Sequence, residues 1–198
     1  MKVLLVHSGN AVCGNSERYT FVREQGESLR ALGADVEYFA VVGKGVMGYL
    51  RNYKHLQKAI KAFQPNLIHA HFGLCGALCV MQSKIPVVIT CHNGETLSRY
   101  GNIITSLAIQ RAAHTICVAQ HIYDKLYFKP KNYTIKPCGI EITDVMEKSI
   151  AQQKMNLPKD KINILFGGSF SNLRKNVALA NAALNILNRD DINLIEMK

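Results

Sequence analysis

Short β-branched runs alternate with longer amphipathic stretches along the whole chain, and that alternation leaves few folds open. Strands are expected at Lys2–Val6, Asp35–Val41, Leu67–Ala70, Val87–Thr90, Thr115–Val118, Tyr133–Lys136 and Ile162–Phe166. Helices are expected at Glu17–Leu32, Gly48–Phe63, Leu74–Gln82, Leu97–Ala113, Ile122–Phe128 and Leu173–Asn188. Ser16 suits the N-cap of the first helix and Gly33 its stop. Pro86 opens the fourth strand, where a missing N–H is tolerated. Strands separated by helices cannot pair as hairpins, so the pattern implies an α/β fold: a parallel sheet with helices on both faces.

Between Asp144 and Lys161 the composition turns polar, in "DVMEKSIAQQKMNLPKDK", and a fresh apolar strand with a glycine pair follows in "INILFGGSF". The expected organisation is therefore a domain over residues 1–150, a linker over 151–161 and the start of a second α/β unit over 162–198. Two strands and one helix cannot cover both faces of a sheet, so this second unit reads as incomplete.

The 198 residues, 48% hydrophobic and 19% charged, suffice for a sizeable core. No apolar stretch approaches the roughly 20 residues needed to cross a bilayer. "MKVLLVHSGN" is too short in apolar residues for a signal-peptide core. The expected location is cytoplasmic. Cys13, Cys75, Cys79, Cys91, Cys117 and Cys138 form no C-x-x-C pair and read as reduced, mostly buried thiols. Cys75 and Cys79, one helical turn apart, could alternatively join a metal site with nearby histidines.

The formal charge of +10 favours acidic partners. Part of the excess is local, since Arg51, Lys54, Lys58 and Lys61 follow a 3-4-3 spacing that makes a basic stripe on a helix. Tyr49, Tyr53, Leu56, Ile60 and Phe63 make the opposite face. The stripe is either an ordinary solvated face or a dock for anionic lipid headgroups, peripheral to a membrane. Nucleic acid is not expected, because the chain carries no recognition motif for it.

Residues i and i+2 of a strand point to the same side. In "LIHAHFG" that pairs His69 with His71 at a strand end, just before Gly73. His7 closes the first strand and His92 the fourth, in "TCHNGET", while Cys138 and Gly139 follow the sixth. Ligands of open α/β sheets bind beyond the carboxyl ends of the strands, so these residues outline a rim. Three chemistries compete for it. Histidines with a cysteine can hold zinc, yet no H-E-x-x-H or paired C-x-x-C is present. Dinucleotide binding usually shows G-x-G-x-x-G after the first strand, and here that loop holds only Gly9 and Gly14. Sugar transfer needs small loop residues that admit phosphates and imidazoles that bond hydroxyls.

The segments "PNLIHAHFG", "PVVITCHNGE", "IKPCGIE" and "FGGSFSNLRKN" resemble, in order and spacing, the motifs of GT-B fold glycosyltransferases of family 4. The stretch from Gly43 to Gly73 is similar to a branch that builds surface polysaccharides. The resemblance implies a Rossmann-like acceptor domain followed by a nucleotide-sugar domain. It further implies a retaining transferase of hexosyltransferase type that needs no metal or cofactor. Its co-substrates would be a nucleotide-diphosphate sugar and a glycan or lipid-linked acceptor. It assigns His92 the catalytic contact to the transferred sugar. Gly9, Gly14, Arg174 and Lys175 fall to the donor diphosphate, where charge-assisted contacts stabilise the leaving group. His69, His71, Asn93 and Glu95 are the candidates for the acceptor or sugar, the alternatives being a buried side chain satisfied by a backbone carbonyl for His69 and a solvated loop acid for Glu95. Two departures are visible: Ser169 replaces an arginine that commonly follows the glycine, and Asn93 interrupts the usual His-Gly pair. The family's E-x7-E glutamates have no counterpart before Lys198, so this chain by itself is expected not to turn over. The alternatives are a non-catalytic acceptor- or membrane-binding domain and a metal-dependent hydrolase built on the histidines.

Overall fold

A computed structural model describes residues 1–9, 20–139, 145–173 and 175–197. Two compact units divide the chain, Met1–Glu141 and Ile142–Lys198. In the first, six parallel strands run in the order β2-β1-β3-β4-β5-β6. They are β1 (Lys2–Ser8), β2 (Asp35–Val41), β3 (Leu67–His71), β4 (Val87–Cys91), β5 (His114–Cys117) and β6 (Tyr133–Ile135). The helices are α1 (Thr20–Ala31), α2 (Gly45–Leu50), α3 (Tyr53–Phe63), α4 (Gly73–Cys79), α5 (Arg99–Ile109) and α6 (Gln120–Lys125).

The strand order dictates which face each helix covers. Parallel crossovers are right-handed, so a step to one side of β1 and a step to the other side put their helices on opposite faces. The step from β1 to β2 goes one way, and every later step goes the other. Accordingly α1 lies alone on its face, where Phe21, Val22 and Leu29 pack on Val3, Leu5, Val36 and Tyr38. The helices that follow cover the other face, over Leu4, Val6, Ile68, Ala70, Ile89, Cys91 and Cys117. The two lists alternate along β1 and β3 as a strand's period of two requires. The expectation of helices on both faces holds, but among the described residues of this unit the α1 face carries one helix, over β1 and β2.

Element ends follow local chemistry. Gly33 stops α1 with φ +83 and bonds back to the Arg30 carbonyl at 2.9 Å. Ser98 caps α5, its hydroxyl accepting from Gly101 N–H at 3.0 Å. Ser16 lies outside the described residues. The helix expected over Gly48–Phe63 is instead two, because the chain turns at Arg51 and Asn52. There Asn52 spends its side chain on the preceding loop: its Nδ2 donates to the Val42 and Gly48 carbonyls, each at 2.8 Å. Two glycines let α4 sit close between the sheet and α5. A Cβ on Gly73 would lie 1.8 Å from Thr105 Oγ1, and one on Gly76 would lie 2.6 Å from Ile89 Cδ1. Among the described residues no helix is long and apolar enough to cross a membrane.

The second unit holds α7 (Lys148–Lys154), β7 (Ile162–Phe166), α8 (Val177–Leu187) and β8 (Ile192–Glu196). The strands pair in parallel from Ile162 opposite Ile192 to Phe166 opposite Glu196. Part of the polar stretch that reads as a linker is thus helical. Glu147 caps α7, its carboxylate accepting from the N–H groups of Ser149 and Ile150 at 2.9 and 3.1 Å. Asn176 does the same for α8 at Leu179 N–H, 3.3 Å. One helix on two strands leaves Ile164, Leu165, Leu179 and Leu187 exposed.

Candidate active site

The carboxyl ends of β3 and β4 carry a column of imidazoles on the α1 face. Register sets it up, since His71 is paired with Thr90 and His92 follows two residues later. The His69 ring stacks on His71 with centroids 4.6 Å apart and planes at 24°. His71 stacks in turn on His92 at 5.5 Å and 25°. His71 Nδ1 and His92 Nε2 lie 3.2 Å apart, so one ring donates to the other. His92 Nδ1 sits 3.8 Å from Cys138 Sγ at the end of β6. His7, on the same face, bonds through Nδ1 to the Ser8 carbonyl at 3.2 Å.

Burial removes charge from this column. It pushes His69 down to about 4, with the His92 charge adding to the effect. It pushes His71 down to about 2, helped by the charges of His69, His92 and His7. Desolvation takes His92 to about 4. At neutral pH all three rings are therefore uncharged, fit to exchange hydrogen bonds with hydroxyls and unfit to serve as cations. His71 Nε2 is buried and has no hydrogen-bond partner among the described residues.

Two aromatic rings frame His92. Phe21 from α1 lies 4.9 Å from it and Phe72, the residue after β3, 4.7 Å, centroid to centroid. Phe72 holds φ 72 and ψ 146, a conformation that L side chains rarely adopt and that costs of order 1–3 kcal/mol. Such strain persists only where the surroundings over-determine it. Here the Phe72 N–H donates to the Thr90 carbonyl at 3.0 Å while Gly73 already begins α4.

A pocket of about 980 Å³ opens over this arrangement, at the upper end of the range for ligand sites. His71, Thr90, His92, Cys138 and Gly139 line it from the strand ends, and Phe21, Arg23 and Glu24 from α1. Lys136 adds a second cation. The sheet thus brings His71, His92, Cys138 and Gly139 of the expected rim to one pocket, and His7 does not line it.

Other expected contacts fall elsewhere. His69, expected on the rim, is buried beneath it with Nε2 2.7 Å from Thr90 Oγ1, because β3 reaches one residue further and seals it. Gly9 packs against the end of β2, its N–H donating to the Val41 carbonyl at 2.7 Å, and does not line the pocket. Asn93 is exposed and also outside the lining. Cys75 and Cys79 pack on the sheet face opposite the histidines, which removes them from any shared metal site. Among the described residues no group of three or more His, Cys, Asp or Glu is placed to hold a metal ion. Gly14, Arg174 and the Glu95 side chain lie outside the described residues. Phe21, Arg23, Thr90 and Phe72 are site residues that the motif reading passes over. The phenylalanine directly after His71 was the available signal.

In the second unit, Lys175 packs its aliphatic stem against Gly168, where a Cβ would lie 2.9 Å from Lys175 Cγ. Ser169, the residue in place of an arginine, donates its hydroxyl to Glu196 Oε1 at 2.7 Å. Phe170 N–H donates to the same oxygen at 2.8 Å. A carboxylate from the end of β8 thus holds the glycine turn that follows β7.

The sequence profile described as Glycosyltransferase Family 4 matches residues 19–144. No curated protein matches the chain. Among solved structures, sucrose-phosphate synthase from Thermosynechococcus elongatus is similar over all of this chain and 71% of its own, at TM-score 0.70 and 13% identity. S. aureus MnaA in a co-structure with UDP is similar over 98% of this chain and 61% of its own, at TM-score 0.62 and 11% identity. HepE from Anabaena in complex with UDP-glucose is similar over all of this chain and 69% of its own, at TM-score 0.61 and 12% identity. At such identities the likeness concerns the fold, and the chain spans 61 to 71% of these three proteins.

Proposed function

The chain belongs to Glycosyltransferase Family 4, and from that premise we propose that it serves transfer of a sugar from a nucleotide-diphosphate sugar to a glycan or lipid-linked acceptor. The finer reading is a retaining hexosyltransferase of surface polysaccharide assembly, working at the cytoplasmic face of a membrane without a metal. One observation carries the proposal: the uncharged His71–His92 pair facing a pocket at the carboxyl ends of the parallel strands.

The chemistry divides among the residues as follows. As the bond from the anomeric carbon to the diphosphate oxygen breaks, negative charge grows on the leaving nucleoside diphosphate. Lys175 and Arg174 are assigned to that charge by their place in the motif. Neutral His92 contacts a hydroxyl of the transferred sugar, which fixes the sugar ring without placing a positive charge beside a carbocation-like centre. His71 orients His92 through the 3.2 Å contact. Arg23 and Glu24 offer charge-assisted bonds to acceptor hydroxyls. Glu95 is assigned to the acceptor as well, and His69 supports the column from below.

The test is nucleoside diphosphate release by the full-length protein from a panel of UDP- and GDP-sugars, with isolated membranes supplying acceptor. His92→Ala should lower kcat by about 100-fold, the scale of a lost transition-state contact. Unchanged turnover in that variant refutes the assignment of the imidazole. Product of inverted anomeric configuration refutes the retaining part.

A further inference from the structure

The site described above uses the α1 face and leaves α2 and α3 without a role. Those helices carry two stripes at the same 4-3-4-3 spacing. Tyr49, Tyr53, Leu56, Ile60 and Phe63 face inward: Leu56, Phe63 and Tyr49 are buried in the core, and Tyr53 and Ile60 pack against it. Tyr49 is pinned there by its hydroxyl, which donates to Ser8 Oγ at 2.9 Å. Met47, Arg51, Lys54, Lys58 and Lys61 are each two positions earlier, about 200° around the helix, and so point directly away from the core.

The break between the helices does not scatter the outward stripe. Arg51 and Asn52 keep right-handed helical dihedrals (−58, −24 and −80, −8). Arg51 N–H donates to the Met47 carbonyl at 3.2 Å and Leu56 N–H to that of Asn52 at 2.8 Å, so the turn carries through. The result is one outward ridge with two chemistries. Its leading residue is Met47, 67% exposed, and near it in sequence Val42, Val46 and Leu50 are 63%, 46% and 39% exposed. Its length is cationic, and all four of Arg51, Lys54, Lys58 and Lys61 are exposed. No acidic residue occurs between Glu37 and Glu95. The ion pairs among the described residues, Arg30–Glu27 and Arg189–Asp191, involve none of these cations.

Four exposed apolar side chains thus adjoin four cations in a stretch of sequence without an acid. We propose that this ridge docks on an anionic lipid bilayer. Val42, Val46, Met47 and Leu50 enter the headgroup layer, and Arg51, Lys54, Lys58 and Lys61 lie along the headgroup phosphates. Each cation near such a surface strengthens binding about 5-fold, and apolar insertion adds a part that salt does not screen. The surface suits a lipid-linked acceptor under the reading above, but the binding is measured without any sugar transfer.

The experiment is co-sedimentation of the full chain with phosphatidylcholine vesicles, with and without phosphatidylglycerol, at low and high salt. The protein should pellet with the phosphatidylglycerol vesicles and stay in solution with pure phosphatidylcholine. Lys54→Gln with Lys58→Gln should weaken binding about 30-fold. Met47→Ser should leave the low-salt binding largely in place and remove the residue that survives high salt. All three side chains are exposed, and circular dichroism confirms that the variants fold. No binding at low salt, equal binding to uncharged vesicles, or lysine variants that bind as wild type each overturn the proposal. A chain that binds single-stranded RNA and ignores the vesicles overturns it too. Vesicle binding by a protein that releases no nucleoside diphosphate from any sugar donor leaves this inference standing and removes the enzymatic one.

Discussion

Phe72 offers the sharpest test of the site's construction, because two substitutions there should rank against the usual order. Its φ of 72 and ψ of 146 fall where a Cβ is strained by about 1–3 kcal/mol. Phe72→Ala removes the ring and keeps the Cβ, so the strain remains. Phe72→Gly removes both. Elsewhere glycine is less stable than alanine by roughly 0.5–1 kcal/mol through the entropy of the unfolded chain. Here the relief exceeds that penalty, and Phe72→Gly should be the more stable variant by about 0.5–2 kcal/mol. Urea denaturation of both at pH 7 reads the difference. The same pair bears on the imidazole: either substitution strips the ring 4.7 Å from His92 and admits water. The His92 pKa, near 4 in the intact site, should then climb toward 6.5 in an NMR titration. Phe72→Ala equal to or more stable than Phe72→Gly would refute the strain. An unmoved His92 titration would refute the shielding.

Acid should unfold the first unit early. His69 and His71 are pushed down to about 4 and about 2 in the folded protein, against 6.5 when exposed, so between these values the unfolded chain binds the extra protons. The stability they confer is full above pH 6.5 and is lost as pH falls toward 4. The slope should be roughly 2–3 kcal/mol per pH unit, about 1.4 per proton, and urea midpoints flat from pH 7 to 4.5 would contradict it. Gly76→Ala should destabilise by about 1–3 kcal/mol despite alanine's better helix propensity, since its Cβ would meet buried Ile89 at 2.6 Å. A raised melting temperature would show that α4 can shift.

Much of the first unit is legible in the chain. The strand runs are short and bounded by turn residues, so β1 to β5 fall within a residue or two of where the pattern sets them. The helix over 48–63 is mislocated for a specific reason. Periodicity reports which residues share a face and ignores a turn that keeps helical dihedrals, so Asn52's bonds to the Val42 loop leave no trace in the spacing. His69 and His71 read as equivalent because a period of two places both on one side. Their difference in depth depends on where β3 ends relative to β4, a property of register.

The amino-acid sequence alone determined the α/β alternation, the membership of strand ends in one rim and the two opposed stripes of α2 and α3. Those follow from periodicity, which is local and survives in one dimension. Tertiary structure decided which imidazoles are buried, that their rings stack and lose charge, and that Phe72 is held in a strained turn beside His92. It also decided that Cys75 and Cys79 lie on the far face of the sheet. Burial and desolvation are set by neighbours distant in sequence, and no pattern along the chain encodes how closely they approach.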